Sequence, residues 1–183
     1  KNYLNFQEDL KGFLFDGSNL ENEDYDLFGF VLSLENPKDV LNYSRNFKDE
    51  GNSSFKKGDF DGALEKYSLS CVFLSYLALQ EEEARTSFSQ LASSVVLNMA
   101  ASMLKKKEFN NVGQLCSIIL GHHPNNVKAL LRRANASMGV GEYELACWDL
   151  RVAHEVEPFN QEIVRKLKEV EQVLYSISDN NHE

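Results

Sequence analysis

Five polar residues in this chain have types and spacings that could do chemistry: Lys48, Asn52, Asn98, Lys128 and Arg132. Lys48 and Asn52 are four residues apart, and so are Lys128 and Arg132. On a helix, that spacing puts each pair on one face. Ammonium, guanidinium and amide groups all donate hydrogen bonds, and the first two add positive charge. No Ser/His/Asp set, glycine-rich phosphate loop or paired carboxylates accompany them, so no catalytic chemistry and no cofactor are expected. His122-His123 precede Pro124 in what reads as a loop. Without nearby partners they are expected to serve a turn rather than a metal. Cys71, Cys116 and Cys147 are widely spaced, odd in number and form no CxxC pair, which predicts buried thiols in a reducing compartment.

The elements that must position the five residues follow from an internal repeat. Residues 93–126 and 127–160 align without a gap, and each register is 34 residues long. Ala100 lies over Ala134, Lys107-Glu108-Phe109 over Gly141-Glu142-Tyr143, and Pro124 over Pro158. Proline cannot extend a helix, so it marks each stop. Residues 127–160 resemble a tetratricopeptide repeat (TPR), with Leu130, Ala134, Tyr143, Ala146, Ala153 and Pro158 at its usual places. Ser137 departs from the usual aromatic. An earlier repeat, about 44–77, carries Phe47, Gly51, Phe60, Ala63, Tyr67 and Ser70. It starts 49 residues before residue 93, 15 more than one period. The surplus predicts a lengthened second helix, a short break and an early start to the next helix, as in the repeat domains of large FK506-binding immunophilins. Asn36-Pro37 reads as an N-cap and first helical position. Ile163, Leu167, Val170, Val173 and Leu174 form one stripe, which predicts a capping helix over residues 161–177. The fold expected is all-α: a right-handed superhelix of three TPR helix pairs (37–177) with a cap, after an acidic extension (1–36) and before a frayed tail (178–183). The first helix of each pair is expected to line a concave groove.

Numbered within the repeats, Lys48 is fifth, Asn52 ninth, Asn98 sixth, Lys128 second and Arg132 sixth. This set resembles the dicarboxylate clamp of Hsp90/Hsp70 co-chaperones, in which two Lys, two Asn and an Arg or Lys hold the chaperone's C-terminal Glu-Glu-Val-Asp. The resemblance implies a non-enzymatic adaptor for the C-terminal tail of Hsp90, Hsp70 or both, with Ala101 and Lys105 as secondary groove contacts. The implied ligand suits the residues, because a C-terminal Asp carries two adjacent carboxylates and a guanidinium fork fits a carboxylate or carbonyl upstream. Arg133 is expected to be solvated or inter-repeat. The alternatives are a scaffold for a different acidic peptide, or the targeting domain of a larger enzyme such as an isomerase, phosphatase or ubiquitin ligase.

Composition limits what else the chain can do. The formal net charge of −9 argues against nucleic acid, which needs a basic footprint. No apolar run is long enough to span a bilayer and no leader is visible; the chain is expected in the cytoplasm, with the nucleus also open, and as a monomer. The first residue is Lys1, as expected of a fragment. Within residues 1–36, Tyr25, Phe28, Val31 and Leu32 have helical spacing, while 17–19 and 21–23 look like loops. The extension is expected either to pack on the first helix pair or to shade the clamp. Trp148 is expected in the core or between repeats, and Glu81–Glu83 on a solvated face.

Overall fold

The computed structural model describes residues 3–15 and 22–180. Among the described residues there are nine α-helices and no strand. They divide into two compact units, Lys1–Ser102 and Met103–Glu183, and the division falls inside one long helix.

In the first unit, α1 (Tyr3–Phe15) and α2 (Asn22–Ser33) precede a helical hairpin of α3 (Pro37–Lys56) and α4 (Phe60–Ser75), and then most of α5 (Glu82–Lys105). The hairpin is built from local signals. Asn36 Oδ1 accepts from the Lys38 N–H at 2.9 Å, and Pro37, which has no N–H to lose, opens α3. Asp59 does the same for α4 through the Gly62 N–H at 2.9 Å. Gly58 turns between them at φ +80°, a left-handed conformation that suits glycine. The same repeat position is Gly141 (φ +81°) and Lys107 (φ +60°) in the later turns. Ser44 and Ser70 are both buried, with hydroxyls 2.7 Å apart, and each also bonds the other's backbone carbonyl. The chain surplus appears as the break after α4 and the 24-residue α5. Leu77 and Leu79 are buried in that break, and Arg85 ties it down by donating to the Leu79 and Gln80 carbonyls. Glu81–Glu83 are exposed, with Glu82 and Glu83 in the first turn of α5, where the helix dipole favours carboxylates.

The N-terminal extension belongs to this unit's core. Phe6, Gln7 and Leu10 are buried, and the Phe6 ring meets Phe88 edge-on at 5.3 Å. Gln7 Nε2 donates to the Leu74 and Leu77 carbonyls, both at 2.9 Å, tying α1 to the end of α4 and to the break after it. On α2, Phe30 packs on Tyr43 and Phe73, and Phe28 on Tyr76. Two expectations change here. Asn22 and Glu23 begin α2 rather than forming a loop, while 17–19 and 21 lie outside the described residues. Leu32 is 67% exposed, because Phe30 and Val31 make the contacts. α1 packs by its apolar face on α4 and on Phe88 of α5, in line with the packing reading of the extension.

The second unit holds α6 (Phe109–His122), α7 (Val127–Gly139), α8 (Tyr143–Val156) and α9 (Gln161–Asn180). His122 is thus the last helical residue rather than part of a loop. Asn126 and Asn160 cap α7 and α9 through their side-chain oxygens. Ala134, Ala146, Cys147, Leu150 and Val170 form a core flanked by Leu167 and Leu174 of the amphipathic α9. All three cysteines are buried and form no disulfide, and burial pushes the Cys71 and Cys116 thiols up to about 12, so both stay protonated at neutral pH. Trp148 is not in the core. It is 71% exposed, because Ala146, Cys147, Leu150 and Ala153 occupy the inward arc of α8.

One ionic staple crosses the unit. Arg133 donates two bonds to the buried Asp149 carboxylate at 2.8 and 2.7 Å, and a third to the Ser117 hydroxyl at 3.0 Å. It therefore joins α7 to both α6 and α8, and Asp149 holds the guanidinium above its usual pKa. Asp149→Ala leaves Arg133 partly buried and unmatched, and should cost about 3 kcal/mol, read as an earlier urea midpoint. A loss under about 1 kcal/mol would mean that the pair behaves as an exposed one.

Candidate carboxylate-binding site

The first unit brings three of the five polar residues together. Lys48 and Asn52 lie one turn apart on α3, both half-buried. Asn98 reaches them from α5, 46 residues later, with its Nδ2 donating to Asn52 Oδ1 at 2.9 Å. The same oxygen accepts from the Tyr67 hydroxyl at 2.8 Å. Both lone pairs of the Asn52 carbonyl are then used, so its NH2 group alone is left to face a ligand. Sequence reasoning placed Tyr67 only as a repeat position. Its reach to Asn52 depends on Gly51, since a Cβ there would come within 2.6 Å of the Tyr67 ring. The adjacency of Gly51 and Asn52 is the signal that could have linked them. Among the described residues Lys48 has no ion-pair partner.

Tyr67→Phe tests this support. Tyr67 is buried, and the change deletes one donor while keeping the ring, so stability should fall by about 1 kcal/mol. The Asn52 amide keeps one of its two orienting bonds, and affinity for a carboxylate ligand should drop about three- to tenfold. Unchanged affinity by calorimetry would show that the hydroxyl does not position Asn52.

The second unit holds the remaining two on α7. Lys128 is exposed in the first turn and Arg132 is half-buried one turn later, while Ala129, Leu130 and Ala134 turn inward. No acidic residue occupies that first turn. A lysine near a helix N-terminus works against the dipole by a few tenths of a kcal/mol, and the two positive fields add. Arg132 and Arg133 separate in role, since Arg133 is committed to Asp149. Lys105, at the end of α5, is exposed, and Ala101 is half-buried. An open depression of about 440 Å³ on this unit, lined by Phe109, Gln114, Ser117 and Ser137 among others, includes none of the five. Among the described residues no three His, Cys, Asp or Glu side chains could together hold a metal ion, and no helix is long and apolar enough to cross a membrane.

Comparison with known structures decides the fold. A Plasmodium falciparum domain, described as the C-terminal TPR-containing domain of an FK506-binding protein, superposes with a TM-score of 0.74 at 24% identity, covering 81% of this chain and 99% of that one. This chain has the tetratricopeptide-repeat fold. The first TPR of Spaghetti (RPAP3), bound to the HSP90 peptide SRMEEVD, superposes with a TM-score of 0.59 at 22% identity, covering 73% of this chain and 94% of that one. The second TPR domain of human RPAP3, in complex with the HSP70 peptide SGPTIEEVD, gives 0.57 at 22% identity, covering 74% and 98%. In sequence, the chain is 36% identical over 120 residues to the aryl-hydrocarbon-interacting protein-like 1 of Pan paniscus, covering 64% of this chain and 31% of that protein. The chain spans about a third of the length of the curated relatives it matches. No family model matches it.

Proposed function

We propose that this chain is a non-catalytic adaptor that captures the C-terminal Glu-Glu-Val-Asp of cytosolic Hsp90, Hsp70 or both, and so works in the cytoplasm or nucleus. Lys48, Asn52 and Asn98 are the donors that the first unit offers to the peptide's carboxylates, and Lys128 and Arg132 those that the second unit offers, with Ala101 and Lys105 as secondary contacts. The observation that carries this reading is the Asn52 amide one turn from Lys48, whose oxygen is taken by Tyr67 and Asn98 so that only its NH2 is left to donate. An oriented NH2 beside an ammonium suits an anion that accepts several bonds at once. Charge-assisted hydrogen bonds contribute about 1.5–3 kcal/mol each. Lost translational freedom and peptide ordering offset much of that, which leaves micromolar affinity, about −8 kcal/mol.

The test is a calorimetric titration with SRMEEVD and SGPTIEEVD, each as free acid and as C-terminal amide. The acid should bind at least about tenfold more tightly, since amidation removes one of two adjacent charges. Equal affinity for acid and amide would sink the clamp. Binding of neither acid, with retained binding of other acidic C-termini, would favour a scaffold for a different partner.

A further inference from the structure

α8 carries an apolar stripe that the second unit does not use. Leu145 is 58% exposed, Trp148 is the exposed indole already described, Val156 is exposed and Val152 half-buried. Spacings of three, four and four residues put them on one face along the helix, away from the inward arc. Isolated surface apolar residues are ordinary, but a continuous stripe centred on tryptophan is the kind of surface that marks an interaction site. Its edge is acidic. Glu144 precedes Trp148 by four residues and Glu155 follows by seven, so both lie on the indole's face of the helix, one turn before it and two turns after it, both exposed and neither ion-paired among the described residues. The cation between them along the helix, Arg151, is taken by Glu171 of α9 at 3.2 Å. The indole is therefore flanked by two carboxylates that lack a counter-charge.

We propose that this face docks a basic amphipathic segment of another protein, with its apolar side chains along Leu145, Val152 and Val156, one Arg or Lys over the Trp148 ring beside Glu144, and a further basic residue at Glu155. A cation on an indole face gains from the ring quadrupole, and tryptophan is over-represented among residues that dominate binding. Charge decides against a second copy of this chain as the occupant. Two such faces brought together would oppose their own carboxylates, in a chain of net charge −9. The surface goes beyond the carboxylate clamp, shares none of its five residues and selects the opposite charge.

Trp148 is the sole tryptophan, so its emission reports on this face directly. The full chain is titrated with a synthetic amphipathic helix of Leu, Ala and Arg, and with the same peptide carrying Glu for Arg. The Arg peptide should shift the emission to the blue, protect the indole from acrylamide and saturate, while the Glu peptide does neither. Glu144→Gln with Glu155→Gln should weaken the Arg peptide about five- to tenfold. Both substitutions are at exposed positions and should leave melting unchanged. The proposal is overturned by any of four results: an emission indifferent to the Arg peptide, equal binding of the Glu peptide, full-strength binding by the double variant, or a blue shift produced by raising protein concentration alone. The last would assign the stripe to self-association.

Discussion

Replacing Lys48 and Lys128 together by alanine should reduce binding of a free-acid Glu-Glu-Val-Asp peptide at least about a hundredfold, because each charge-assisted hydrogen bond contributes about 1.5–3 kcal/mol. Each single replacement should cost about tenfold or more. The fold should survive, because neither residue is in the core and neither is ion-paired among the described residues. Lys128→Ala should even stabilise α7 by a few tenths of a kcal/mol, since it removes a cation from the wrong end of the helix dipole. Raised salt should weaken the wild type more than the double variant, because exposed charges are screened. Wild-type affinity in the double variant, or its unfolding, would each remove the clamp from consideration, the second by showing that the lysines are structural.

Deleting residues 1–34 should lower the melting temperature by about 10 °C or more. Burying Phe6, Leu10 and Val31 is worth about 1.5–3 kcal/mol apiece, and for a chain of this size each kcal/mol moves the midpoint by about 2–4 °C. The deletion also strips the Gln7 donor from two carbonyls and uncovers Phe73, Tyr76 and Phe88. Peptide affinity should be unchanged or lower. Phe6→Ala alone, a milder change, should cost about 3–5 kcal/mol. Unchanged melting together with tighter peptide binding would instead establish the extension as an autoinhibitory arm.

The residues behind these two predictions differ in how visible they were. The candidate lysines and asparagines stand out because the repeat phase is written locally: Asn36 and Asn126 cap, Gly58 and Gly141 turn, and Pro124 and Pro158 stop. Each of those signals acts on its own backbone within a few residues, so helix positions and the face shared by Lys48 and Asn52 follow from sequence. What sequence leaves open is which distant group meets a given side chain. Leu32 and Trp148 are apolar and correctly spaced, yet both face solvent, because neighbouring arcs of their helices carry the residues that fill the core. Arg132 and Arg133 look alike until the fold brings Asp149 and Ser117 to one of them. Gln7 is an ordinary surface residue by composition, and its burial follows only once the fold brings it to the Leu74 and Leu77 carbonyls, 67 and 70 residues away. The sequence by itself therefore determined the helices, their repeat phase and the candidate donors. The tertiary structure decided which way the Asn52 amide points, because its two partners, Tyr67 and Asn98, lie 15 and 46 residues away and meet it only when α4 and α5 pack on α3.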